Sequence, residues 1–265
     1  MKLPTYFISH GGGPWPYMPE MQASNAALSA SLADIPGQIG GKPKAILMVS
    51  AHWETPGTFS VMASPKPPMV YDYYGFPAHT YDIQYPAPGA PDLADRVQQL
   101  LQAAGLPIQQ DEQRGFDHGA FVPAFVMYPD ADVPMVQLSI DAHYDPERHL
   151  ALGRALAPLR DEGVLIIGSG LSYHNLRQIY GGGSAASAQF DAWLHKTLLH
   201  SPTELRARLL ADWESAPAAR LAHPREDHLI PLMVAAGAAE YEAAACVYHE
   251  TQAFAGITAS SFRFG

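Results

Sequence analysis

Three of the twelve histidines in this 265-residue chain stand at the ends of short apolar runs. Residues 5–9 (TYFIS) lead to His10, residues 46–51 (ILMVSA) to His52, and residues 165–173 (LIIGSGLSY) to His174. A fourth, His228, opens a helix-like segment, DHLIPLMVAA. Each run reads as a buried strand passing into small residues. In open α/β sheets, ligands bind beyond the carboxyl ends of the strands, so histidines placed there can converge on one metal, and imidazole suits zinc or iron. A single histidine is more often a hydrogen-bonded structural residue than a ligand. Repetition of one pattern argues otherwise, as do the three glycines after His10, which permit close backbone approach to a bound group.

The remaining histidines divide by context. His118 lies in RGFDHGAF (114–121), which suggests a histidine on a turn. Beside a metal it would serve as acid or base, since histidine titrates near ~6.5; equally, Asp117 reads as a capping residue next to a surface histidine. His223 precedes His228 in HPREDH and reads either as an outer partner of the site or as a turn cap. His79 sits in an aromatic stretch within reach of a substrate. His143, His149, His195, His200 and His249 lie in polar or helical surroundings and read as solvated.

The elements that must position these groups alternate. Residues 42–50, Met135–Ile140 and Val164–Gly168 read as buried strands, where β-branched residues and flanking Pro and Gly favour strand over buried helix. Leu93, Val97, Leu100, Leu101 and Ala104 follow helical spacing, with Pro91 near the start and Gly105 at the stop. Leu152, Leu156 and Leu159 mark another helix, and 185–200 and 202–213 look helical. This alternation predicts an α/β domain with a central, largely parallel or mixed sheet flanked by helices and the metal site at the strand C-terminal ends. Residues 10–19 and 64–91 read as loops. The second is rich in proline and carries Tyr71, Tyr73, Tyr74, Phe76, Tyr81 and Tyr85. Long loops of this kind are usually functional or disordered, and the aromatics argue against disorder.

Composition narrows the class. A hydrophobic fraction of 48% supports a sizeable core, and no repeat or linker divides the chain, so residues 1–265 read as one catalytic domain. The net charge of −10, without a basic cluster, argues against nucleic acid. No apolar run reaches the ~18 residues that span a membrane, and the N-terminus lacks a secretory pattern. Cys246 is the single cysteine, so neither an internal disulfide nor a cysteine zinc site can form. A cytoplasmic enzyme fits these features, and a homo-oligomer is compatible with them.

The motifs together resemble the class III extradiol ring-cleaving dioxygenases, in the DOPA 4,5-dioxygenase-like branch. The resemblance is carried by SHGGGP (9–14), SAHWE (50–54), YDYYGFP (71–77), YPAPG (85–89), GFDHG (115–119), MVQLSI (135–140), GSGLSYHNL (168–176) and HPREDHLIPL (223–232). It implies a mononuclear non-haem Fe(II) site opening a catechol ring with O2. His10, His52 and His228 would be the ligands. His174 would be a further ligand or a close neighbour, and His118 and His174 the proton-transfer groups. Trp15, Tyr73, Phe76 and His223 are the candidates for contact with the aromatic diol. A three-histidine set is also used by catalytic zinc, so Zn(II) in purified protein, a zinc hydrolase and a non-enzymatic binding protein of the Memo type are the competing readings.

Overall fold

The computed structural model describes residues 2–265. Strands β1 (Thr5–Ser9), β2 (Ala45–Thr55), β3 (Phe59–Met62), β4 (Ile108–Asp111), β5 (Met135–Asp141), β6 (Val164–Gly170), β7 (Ala244–Ala253) and β8 (Ile257–Phe264) form one mixed sheet. Their spatial order is β4-β3-β5-β2-β6-β1-β8-β7. The central run β5-β2-β6-β1 is parallel, and β8 and β7 close one edge as an antiparallel hairpin. The central strands are rich in apolar residues and buried along the whole of β1, β5 and β6. That is the pattern of parallel strands covered on both faces.

Helices cover the sheet: α1 (Pro19–Gln22), α2 (Ala26–Gln38), α3 (Pro91–Ala103), α4 (His118–Met127), α5 (Pro146–Leu156), α6 (Ser184–His195), α7 (Thr203–Ala211), α8 (Ala219–Ala222) and α9 (Ile230–Gly237). The expected helix at 91–104 is α3, which begins at Pro91 and buries Leu93, Ala94, Val97 and Leu101. Helix α9 is buried throughout and packs on β1, β6 and α5. No helix among the described residues is long and apolar enough to cross a membrane.

Three local expectations are corrected. The segment 10–19 is not wholly irregular, because Trp15–Tyr17 form a 3-10 turn that leads into α1. His149 is not solvated but fully buried. Its Nε2 accepts from the Asp141 backbone N–H at 3.0 Å and its Nδ1 donates to the Asp145 carbonyl at 2.7 Å, pinning the start of α5 to the end of β5. His195 is only partly exposed and is engaged by Ser260.

Candidate metal centre and active site

Because β1, β2 and β6 run parallel, their carboxyl ends share one edge of the sheet. His10 follows β1 directly, and its backbone N–H bonds the Gly170 carbonyl at the end of β6. His52 lies within β2 rather than beyond it. The pairing of β2 with β5 slips between Val49 and Glu54, and such a bulge re-aims side chains. His228 sits in the turn before α9, with its carbonyl bonded to the Leu171 N–H. Gly170 makes this approach feasible, since a Cβ there would lie 2.1 Å from the His228 carbonyl oxygen.

These three elements bring three nitrogens together. His52 Nε2 lies 3.2 Å from His10 Nε2 and 3.2 Å from His228 Nε2. Bonds of about 2.1 Å to one metal would separate their nitrogens by about 3.0 Å at right angles and about 3.4 Å at tetrahedral angles. The observed spacing falls between these limits.

The opposite ring nitrogens each face an acceptor. His10 Nδ1 is 3.1 Å from Ser169 Oγ, whose own hydrogen goes to the Gly119 carbonyl, so the hydroxyl accepts from the imidazole. His52 Nδ1 is 3.2 Å from Asp72 Oδ2, and His228 Nδ1 is 3.0 Å from Asp227 Oδ2. The bond to Ser169 holds the His10 proton at Nδ1. His52 and His228 each have a carboxylate oxygen near Nδ1, which for His228 is a close contact rather than a well-formed hydrogen bond. A proton at each Nδ1 would leave three Nε2 lone pairs facing one another. Lone pairs this close repel unless a cation lies between them, so the donor set fits a metal, and outer partners of this kind fix the tautomer of ligating histidines.

Burial favours the neutral, ligating form. It pushes the pKa of His10 and His52 well below the usual value and that of His228 down to about 4, and mutual repulsion adds to the shift. For Asp227, burial raises the pKa, but the close His174 and His228 imidazoles outweigh it and keep the carboxylate ionised. The His174 ring stacks on His228 with centroids 3.4 Å apart, and its Nδ1 lies 3.7 Å from Asp227 Oδ1.

His118 is the first residue of α4, and Asp117 is its N-cap, accepting from the Ala120 N–H. Asp117 is fully buried beside Ser50, Arg114 and Gln137. Its carboxyl pKa is raised by burial and then by the charge of Asp72. The His118 ring lies 4.0 Å from the His52 ring and 5.3 Å from the His10 ring.

A cavity of about 450 Å³ opens on these imidazoles. Tyr73, Phe76, Leu171, Ile179 and Phe254 supply apolar walls around His10, His52, His118, His174 and His228. Two tyrosine hydroxyls of the aromatic loop are engaged within the protein, Tyr73 donating to the Thr80 carbonyl and Tyr71 to that of Ile83, whereas Tyr74 is exposed at the cavity mouth. A second opening of about 840 Å³ shares His52, Asp72, His174 and His228 and is rimmed by Arg177, Arg220 and Arg225.

Two expected substrate contacts are misplaced. Trp15 is 1% exposed and donates its indole N–H to the His10 carbonyl, bracing the loop from behind. His223 is fully buried between Phe190 and Trp213, with Nε2 3.0 Å from the Ser172 carbonyl. Neither lines the cavity. Asp72, Ser169 and Asp227 were not singled out by the sequence. The available signal was chemical: every ligating histidine needs an acceptor for its other nitrogen, and Asp72 and Asp227 lie inside two of the quoted motifs.

The chain matches the model of the catalytic LigB subunit of aromatic ring-opening dioxygenase over residues 4–265. It is 41% identical to a 4,5-DOPA dioxygenase extradiol of Beta vulgaris, covering 98% of this chain and 96% of that protein. It is 37% identical to the Escherichia coli (strain K12) protein of the same name, covering 89% and 85%. An uncharacterized protein from Escherichia coli K12, solved by crystallography, superposes with a TM-score of 0.79 at 31% identity, covering 99% of this chain and all of the other. The chain therefore belongs to the LigB family of extradiol ring-cleavage dioxygenases.

Proposed function

We propose that residues 1–265 act as one catalytic domain, a non-haem Fe(II) enzyme that opens a catechol ring with O2. His10, His52 and His228 hold the metal, and His174 stands beside it as a further ligand or neighbour. The observation that carries this reading is the convergence of three Nε2 atoms, each imidazole having an oxygen within 3.2 Å of its Nδ1. Iron(II) supplies a redox-active centre through which electrons pass from ring to O2, whereas zinc has no redox chemistry.

The protein groups supply position and protons. Tyr73, Phe76 and the facing apolar residues pack the substrate ring, as expected for a mostly apolar pocket with a few placed polar groups. With Nδ1 engaged by Asp72, His118 presents Nε2 to accept a catechol proton. The resulting imidazolium is paired with the Asp72 carboxylate and can return the proton during ring opening. The Asp72 pKa, raised by burial, is brought below its usual value by the hydrogen bond and charge of His118, so the carboxylate stays available.

The wider opening points to an anionic catechol. Arg220 is paired with Glu214 and Glu226, and Arg225 with Glu54. Arg177 has no carboxylate partner among the described residues. A carboxylate on the substrate side chain would fill that role in a protein of net charge −10. The test is anaerobic reconstitution with Fe(II), then a catechol panel followed by O2 uptake and product absorbance. Absence of turnover with every catechol would reject the reading.

A further inference from the structure

Asp191 and His195 lie one helical turn apart on α6, and His249 reaches them from β7. Asp191 Oδ2 is 3.5 Å from His195 Nε2 and 3.5 Å from His249 Nδ1. The two imidazole rings stand 5.2 Å apart. None of the three lines the cavity of the active site. We propose that Asp191, His195 and His249 form a second divalent-metal site, suited to zinc or nickel, that clamps the C-terminal hairpin to α6.

Three observations support the assignment. The oxygen–nitrogen distances match the edge of a tetrahedral site, about 3.4 Å for bonds near 2.1 Å. Asp191 is 6% exposed, and among the described residues its ionic neighbours are these two histidines, with no Lys or Arg. A buried carboxylate without a cation is costly. The His249 side chain is 44% exposed, which leaves an entry path for an ion.

The competing arrangement is a metal-free network. Ser260 Oγ donates to Asp191 Oδ1 at 2.6 Å and lies 3.1 Å from each imidazole nitrogen, so it can accept from both. That network satisfies the hydroxyl but leaves the carboxylate charge without a cation unless an imidazole is protonated. A metal supplies that cation directly.

The site would bear on the active cavity through the hairpin. Strand β7 ends at Ala253, and the next residue, Phe254, lines the cavity and packs on the glycine loop after His10. Fixing His249 to α6 would fix that wall.

Chelator-stripped protein should be titrated with Zn²⁺ by calorimetry against a competing chelator. We expect two equivalents in the wild type, one in His52→Ala, one in His249→Ala, and none in the double variant. Because His249 is exposed, His249→Ala should keep its fold, and circular dichroism checks this. Asp191→Asn provides a second route to the same loss. Zn²⁺ should also raise the melting temperature of His52→Ala but not that of the double variant. Equal zinc counts for His52→Ala and the double variant, or no zinc bound by His52→Ala, would overturn the proposal. Either result would leave the reading of the first site standing.

Discussion

Oδ1 of Asp72 lies 2.8 Å from His118 Nδ1 and 3.0 Å from the His118 backbone nitrogen. The other oxygen of the same carboxylate is 3.2 Å from His52 Nδ1. One side chain thus orients both a proposed ligand and the proposed acid–base group. Asp72→Asn removes the charge at nearly constant size. Turnover and metal affinity should each fall about 10- to 100-fold, the usual cost of losing an outer partner. Metal analysis beside steady-state kinetics checks both. Unchanged values would reduce Asp72 to a loop anchor.

His118→Gln should separate proton transfer from metal binding. Metal content should stay near wild type while kcat falls about 10²- to 10⁴-fold. His52→Ala should lose metal and activity together. Full activity in His118→Gln would leave that histidine a structural part only.

Gly119 sits where α4 meets β2. A Cβ there would lie 2.6 Å from Ser50 Oγ and 3.0 Å from His52 Cδ2. Ser50 cannot easily yield, because its hydroxyl is bonded to buried Asp117. Gly119→Ala should cost roughly 1–3 kcal/mol by overpacking and displace His52, so metal retention should drop with stability. Denaturant titration and metal analysis would show it; wild-type behaviour in both would refute the contact argument.

The four histidines of the proposed centre were legible because each follows or precedes an apolar run whose end the parallel topology fixes. The sheet itself was legible for β2, β5 and β6, whose short, largely apolar segments carry β-branched residues and are flanked by Pro and Gly. The hairpin of β7 and β8 was not, since its residues mix exposed polar and buried positions, and neither α2 nor α4 was read as a helix. Trp15 and His223 went astray for a different reason. Aromatic and imidazole side chains near a site serve equally well as bracing, and the choice depends on long-range packing. Asp72 was hidden because its partners lie 46 residues away along the chain in His118 and 20 residues away in His52.

Acid sensitivity should follow from the buried neutral histidines outside the proposed centre. Burial lowers the pKa of His149 to about 4 and that of His223 to about 3. In the unfolded chain both titrate near ~6.5. Between those values the unfolded state binds the extra protons, so stability is lost as pH falls below about 6.5, and the loss levels off below the folded pKa. For His149 the cost by pH 5 is on the order of 2 kcal/mol. Urea midpoints for wild type and His149→Gln at pH 7 and pH 5 isolate it. The variant should be less sensitive to the drop; an equal fall in both would contradict the assignment.

Substrate packing and charge reading should be separable. Phe76→Ala should raise KM for all catechols without loss of metal, because Phe76 lines the cavity wall. Arg177→Gln should raise KM for a catechol bearing a carboxylate and leave a neutral alkylcatechol nearly unchanged. Equal effects on both substrates would remove Arg177 from substrate recognition.

The most direct test of the central claim is isotopic. Protein reconstituted anaerobically with Fe(II) should be mixed with a catechol it turns over and with ¹⁸O₂, and the ring-opened product analysed by mass spectrometry. Both oxygen atoms should enter the product, at one O2 consumed per ring, and the Zn(II)-loaded protein should be inactive. Ring opening by the zinc form, or a product carrying neither label after immediate borohydride trapping of its exchangeable carbonyl, would contradict an iron dioxygenase built on His10, His52 and His228.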